Sequence, residues 1–86
     1  MTREYIVNEI CAIMRDRLRV DETLLVPENE YAPLTASPFD LEAQDLVYLF
    51  VFIREAFQIE IPGAALADEG FNSVAAIADI VERGVL

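Results

Sequence analysis

Few residues of this chain are of types that carry out catalysis. Its 86 residues include one cysteine, Cys11, and no histidine, which is the commonest general base and metal ligand in proteins. Cys11 falls on the apolar stripe of a predicted helix, so we interpret it as a structural thiol, and a lone cysteine excludes an internal disulfide. Carboxylates alone are left for acid–base chemistry. We therefore expect a protein that is not an enzyme and holds no metal.

The charge of the chain is strongly acidic, and this restricts its partners. The net charge is −10, and all six positive charges are arginines. Such a surface repels nucleic-acid phosphates and attracts basic proteins. No apolar run approaches the roughly 20 residues that cross a bilayer, and the N-terminus lacks the order of a signal peptide. We expect a cytoplasmic protein that neither binds nucleic acid nor spans a membrane.

One apolar helix dominates the sequence, and the other elements must be arranged around it. Apolar residues recur at helical spacing and predict one buried face, formed by Leu46, Leu49, Phe50, Ile53 and Phe57. The helix should end near Gln58, because Pro62 has no amide hydrogen to continue it. Its predicted start has Ser37 as the N-cap, Pro38 at the first helical position and Asp40 near the capping-box position.

The opposite face of this helix also carries apolar side chains. We call it the outward face; its apolar residues are Val47, Tyr48, Val51 and Phe52, and its acidic rim is Glu42, Asp45 and Glu55. A helix that is apolar on both sides packs against a different partner on each side. We predict that this face binds a protein with a basic patch, or forms a weak homodimer. The alternative is that the chain covers it internally, with its long loop or a short helix.

Two more long helices and one short one are predicted around this element. The first helix runs from Thr2 to Leu18, with a core stripe of Val7, Ile10, Cys11, Met14 and Leu18. The last begins at Asn72 or Ser73, with Phe71 as a hydrophobic staple, and Gly84 ends it as a left-handed cap. Its stripe is Val74, Ile77, Ala78 and Val81. A helix of one or two turns fits between Gly63 and Gly70.

A basic cluster and a long loop separate the first two long helices. The cluster of Arg15, Arg17 and Arg19 either complements the carboxyl end of the first helix or forms a docking patch. The segment from Val20 to Ala36 has no helical period and contains two prolines, so it is predicted to be a loop. Five of its side chains could pack back on the bundle: Leu24, Leu25, Val26, Tyr31 and Leu34.

The end of the apolar helix resembles a known family. The run Glu55-Ala56-Phe57-Gln58-Ile59-Glu60-Ile61-Pro62 is similar to the EEFxxxIP close of helix two in acyl carrier proteins, and the resemblance extends over roughly residues 33 to 81. It implies an all-α, acyl-carrier-like four-helix bundle: three long helices, one short helix and a long loop between the first two helices. We expect one such domain over residues 1–86.

The same resemblance locates the family's attachment site, where a serine in an Asp-Ser-Leu motif carries 4′-phosphopantetheine. An ungapped alignment sets Glu42-Ala43-Gln44 against that motif, and a gapped one sets Phe39-Asp40-Leu41 against it. Neither Ala43 nor Asp40 offers the hydroxyl. The resemblance therefore implies a docking or regulatory protein of a carrier-type biosynthetic or peptide-maturation pathway, with no cofactor expected. The alternative is a working acyl or peptidyl carrier that bears 4′-phosphopantetheine on a displaced serine, Ser37.

Overall fold

Helix α1, Arg3–Arg17, begins and ends at the residues that the sequence indicates. The hydroxyl of Thr2 accepts the amide of Tyr5 at 3.1 Å, and Glu4 lies in the first turn. Leu18 is the C-cap, and Arg19 follows it with a left-handed backbone (φ 58°). Since an L-residue in that conformation cannot extend a right-handed helix, the chain turns away there. The predicted extent of the first helix is confirmed.

The buried stripe of α1 is centred one position away from the predicted one. Ile6, Ile10 and Met14 are fully buried at spacings of four, whereas Val7, Cys11 and Leu18 lie half-buried at the edges of the core. The prediction missed Ile6, and it placed Val7, Cys11 and Leu18 deeper in the core than they lie. The reason is that α1 packs against both other helices, so the residues between the two contacts are buried most.

Helix α2, Ala43–Phe57, buries the predicted face. Leu49, Phe50, Ile53 and Phe57 are buried, and Leu46 packs half-buried against them. The helix ends at Gln58, whose backbone is left-handed (φ 52°) and whose amide donates to the carbonyl of Arg54. Both the core face and the end of this helix are confirmed.

The predicted start of α2 is wrong. Ser37, Pro38 and Asp40 lie in a separate turn, in which the amide of Asp40 donates to the carbonyl of Ala36 at 2.9 Å. Asp40 has φ 51°, which stops that turn from continuing into a helix. Glu42 is the actual N-cap.

The long loop is held to the rest of the chain by the backbone around Leu34. Leu34 is fully buried, and its amide donates to the carbonyl of Asn72 at 3.0 Å. The carbonyl of Glu30 accepts the amide of Ala75 at 2.9 Å. Two short 3₁₀ turns, Glu22–Leu24 and Pro27–Asn29, lie within the loop. Leu24 and Leu25 pack half-buried as expected, but Val26 and Tyr31 are exposed, so the prediction that they cover the bundle is wrong.

Helix α3, Val74–Gly84, begins after Ser73, whose hydroxyl accepts the amide of Ala76 at 3.0 Å. The predicted stripe is buried in full. Phe71 lies in the core edge-to-face against Phe50, with ring centroids 5.7 Å apart. It precedes the N-cap by two residues, whereas a staple residue precedes it by one.

Gly84 does not have the predicted left-handed conformation. It is the last helical residue of α3, and no described glycine has a positive φ. A Cβ at this position would lie 3.2 Å from the Cδ1 atom of Ile59, so a larger residue would require that side chain to shift by a few tenths of an ångström.

These helices belong to a computed structural model that describes residues 2–64 and 71–84. Within those ranges the chain has three α-helices and no strand, which confirms the all-helical class. The predicted short helix between Gly63 and Gly70 falls largely outside the described residues. None of the described helices is long and apolar enough to cross a membrane.

Truncating Phe57 tests the core face of α2. Phe57→Ala should lower the free energy of unfolding by about 3 to 5 kcal/mol, out of the roughly 5 to 15 kcal/mol of a small domain, because a buried ring is replaced by a cavity. Chemical denaturation followed by circular dichroism measures the change. Tyr31→Ala is the matched control, since that ring is 81% exposed. Unfolding of both variants at the parent midpoint would contradict the assigned core.

Candidate functional site

The amino end of α2 is held by two carboxylate residues around Ala43. Glu42 and Asp45 occupy the N-cap and N3 positions of a capping box, and Asp45 Oδ2 accepts the amide of Glu42 at 3.0 Å. The carbonyl of Glu42 accepts the amides of Asp45 and Leu46. Negative charge at this end complements the helix dipole. Ala43, the first residue of the helix, is exposed and offers only a methyl group.

The three positions that the sequence offers for a prosthetic group lie in different places. Ala43 is in the first turn of α2, Asp40 is in the preceding loop, and Ser37 is in the turn six residues before the helix. All three are exposed. Ser37 does not cap α2, so its hydroxyl lacks the structural role that the sequence predicts for it. It is the one of the three with a hydroxyl group.

Three of the four apolar side chains predicted for the outward face of α2 are exposed to solvent. Val47 is 48% exposed, Tyr48 is 55% exposed and Val51 is 37% exposed. Glu55 lies exposed beyond them, in the last turn of the helix. The loop segment 20–36, one of the two predicted internal covers, leaves these three side chains exposed, so they form an exposed apolar stripe. The other predicted cover, the short helix, falls largely outside the described residues.

Phe52 differs from its neighbours because a cation from α1 covers one side of it. The guanidinium carbon of Arg17 lies 5.0 Å from the centroid of the Phe52 ring, a cation–π contact. Phe52 is half-buried. The rim of the outward face is therefore acidic at the amino end of α2, and beside Phe52 it carries the cation of Arg17 as well as the carboxylate of Glu55 three residues further along.

The arginine cluster at the end of α1 is thus divided between two environments. Arg15 forms an ion pair with Asp16 at 2.9 Å, and this hydrogen-bonded partner holds the pKa of the Asp16 carboxyl below its usual range. Arg17 instead contacts α2. The sequence places these side chains at the end of α1 but contains no signal for their separation, because it depends on how α1 and α2 pack.

Cys11 is set apart from this surface. It packs half-buried against the core, and burial raises the pKa of its thiol. A raised pKa favours the neutral thiol over the reactive thiolate at neutral pH. This agrees with the structural role predicted from the apolar stripe. Among the described residues no group of three histidine, cysteine, aspartate or glutamate side chains is arranged to hold a metal ion.

Comparison with known proteins relates this chain to a curated protein over nearly its whole length. No family model matches the sequence. The acyl carrier protein of Rubrobacter xylanophilus is 37% identical over 84 residues, and the alignment covers 95% of this chain and 90% of the relative. Identity at this level over almost the full length of both chains, together with the all-helical fold, agrees with the resemblance found in the sequence. The chain therefore belongs to the acyl carrier protein family.

Proposed function

We propose that this carrier-family protein works without a 4′-phosphopantetheine arm and acts through protein–protein contacts in a carrier-type biosynthetic or peptide-maturation pathway. The observation that carries the proposal is the position of Ala43 as the first residue of α2. In the acyl carrier proteins that the sequence resembles, the attachment serine lies at the start of helix two. A methyl group stands there in this chain.

The ends of α2 support the ungapped alignment. Its described start at Ala43 and its end at Gln58 coincide with the Asp-Ser-Leu and EEFxxxIP positions of the resemblance, without an insertion between them. The gapped alternative puts the attachment position at Asp40, outside the helix and in a left-handed conformation. Under the ungapped alignment all three motif residues differ: Glu42 keeps the negative charge of the aspartate, whereas the serine and the leucine are lost.

The chemistry of attachment requires a hydroxyl oxygen that can form a phosphodiester. Ala43 has no such atom, and the carboxylate of Asp40 cannot form that linkage. Ser37 supports a second candidate function, a carrier modified at a displaced site, because its hydroxyl is exposed to solvent. Its Ser-Pro-Phe-Asp-Leu surroundings differ from the Asp-Ser-Leu motif that the modifying transferase acts on in the family.

The outward face of α2 is the surface through which we propose that the protein works. It combines an aromatic side chain and two valines with the carboxylates of Glu42, Asp45 and Glu55. Interfaces are enriched in aromatic anchors surrounded by a polar rim. A partner with basic residues around an apolar groove fits both features, since its charge complements the acidic end of α2.

Intact mass is the direct test of the missing arm. After co-expression with a broad-specificity phosphopantetheinyl transferase, the mass of the parent chain should equal the value calculated from its sequence. An acyl carrier protein with an intact Asp-Ser-Leu motif, expressed in the same cells, is the control that must gain the arm. A gain of one phosphopantetheine on the parent, mapped to Ser37 and abolished by Ser37→Ala, would establish the second candidate function instead.

Restoring the hydroxyl tests the alignment itself. Ala43→Ser combined with Gln44→Leu recreates the serine and the leucine of the motif in the first turn of α2, and we expect this double variant to gain one phosphopantetheine. Asp40→Ser combined with Ser37→Ala is the matched control for the gapped alignment and should stay unmodified. Modification of the Asp40 variant but not of the Ala43 variant would show that the proposed register is wrong.

A charge placed in the outward face tests docking. Tyr48→Glu should abolish capture of the proteins that the tagged parent retains from host lysate, because it puts a carboxylate inside the apolar stripe. Tyr31→Glu makes the same chemical change at the more exposed tyrosine of the loop and should retain them. Capture should weaken as salt increases, since screening reduces attraction to a basic partner. Equal capture by both variants would exclude this face as the interface.

A further inference from the structure

We propose that a second copy of this chain occupies the outward face of α2, with the two α2 helices antiparallel about a twofold axis and Arg17 of each copy opposite Asp45 of the other. The inference rests on the proposed use of this face for protein–protein contact. It adds which protein covers the outward face when no other partner is bound, namely a second copy of this chain.

The apolar part of the face is arranged for a self-complementary contact. Tyr48, the most exposed of the three side chains in the stripe, lies midway between Asp45 and Phe52 along the helix, with Val47 and Val51 beside it. In a twofold dimer the same patch supplies both sides of the interface. An axis near Tyr48 therefore packs the tyrosine rings and valines of two copies together and removes their exposed apolar area from water.

The charges along one edge of the face have opposite signs at its two ends. Asp45 and Phe52 are seven residues apart, so they lie on the same side of α2, two turns and about 10 Å from each other. The guanidinium of Arg17 lies over the Phe52 ring. Each copy thus presents a carboxylate on one side of Tyr48 and a cation on the other, along the same edge.

An antiparallel arrangement matches these charges, and a parallel one does not. The antiparallel twofold brings the Asp45 end of one copy to the Arg17 end of the other, and it does so twice. A parallel twofold sets the Arg17 edge against the opposite edge at the same height, where Arg54 follows Val47 by seven residues, with its guanidinium carbon 5.6 Å from the centroid of the Phe50 ring. Arg17 is then no longer opposite Asp45, so charge complementarity selects the antiparallel orientation.

The net charge of −10 on each copy opposes self-association, but the orientation limits the repulsion. In the antiparallel pair the two Glu55 residues lie 13 residues apart along α2, about 20 Å at the helical rise and beyond the Debye length of about 8 Å at physiological salt. Glu55 is level with Glu42 of the other copy, so the repulsion that salt screens is mainly between these two carboxylates and between the net charges of the two copies. The Arg17–Asp45 contacts are close and partly shielded from solvent, so salt screens them less. The dimer should therefore strengthen as salt increases.

The size of the patch sets the expected strength. Stable complexes bury about 800 Å² on each partner, and a stripe of three exposed side chains on one helix supplies less than that. The dimer is consequently a weak one that a partner with a larger interface can displace. Because the dimer is weak and can be displaced, the same face can contact a second copy of the chain or another protein.

Charge exchange across the twofold tests the pairing. Arg17→Glu and Asp45→Arg should each weaken self-association by at least about tenfold, measured by sedimentation equilibrium up to about 0.5 mM, because each change turns two attractive contacts into repulsive ones. An equimolar mixture of the two variants should recover dimers, since every contact in the mixed dimer is attractive again. Arg15→Glu is the matched control, because Arg15 precedes Arg17 by two residues and so lies on a different side of α1, where it is paired with Asp16.

Cysteine crosslinking provides a second measurement that does not alter the capping residue Asp45. In a Cys11→Ala background treated with diamide, Tyr48→Cys should form a disulfide-linked dimer, and Glu55→Cys should not, because the two Cα atoms must approach within about 7 Å. Rapid linkage through Glu55→Cys would overturn the antiparallel orientation. A parent that remains monomeric at about 0.5 mM and high salt, or folded variants whose mixture stays monomeric, would overturn the dimer. Those results would leave intact mass and lysate capture, the tests of the proposed function, unaffected.

Discussion

The burial of one face of α1 against both other helices is the constraint on which the rest of the structure depends. Ile6, Ile10 and Met14 are fully buried, so α1 cannot rotate without exposing one of its contacts. That fixed rotation determines which arginine at its end reaches α2. Arg17 contacts Phe52 while Arg15 pairs with its neighbour Asp16. A packing requirement in the core thus sets the charge pattern of a surface on another helix.

The start of α2 is decided by a competition between two local signals. Ser37-Pro38 has the composition of a helix start, but the amide of Leu41 donates to the carbonyl of Leu34 at 2.8 Å and keeps this segment folded back on the loop. Leu34 is in turn fixed through Asn72 at the beginning of α3. The helix can begin only after this closed segment, at the acidic pair around Ala43. The long loop therefore determines where α2 begins.

Features that depend on local periodicity could be predicted from the sequence, and features that depend on contacts between elements could not. The extent of α1, the core face of α2 and the buried stripe of α3 follow from apolar spacing and caps within each segment. The start of α2 depends on the hydrogen bonds that hold Leu34 and Leu41 in the loop, and the close approach of Ile59 to Gly84 depends on a residue distant in the sequence. In the candidate site, the apolar stripe was visible as a pattern, whereas the cation over Phe52 required the packing of α1.

Under the proposed function, in which the protein has no arm, the outward face meets a different physical demand. A loaded carrier must release each enzyme after delivering its group, which favours contacts that are mainly charged and easily broken. A protein that acts by contact alone has no delivery step, so apolar anchors that lengthen residence on a partner carry no such cost. Tyr48 and Val51 in the middle of this face agree with that demand. In that proposal the same apolar area requires a cover in the free protein, which links the methyl group at residue 43 to the proposed pairing of two copies.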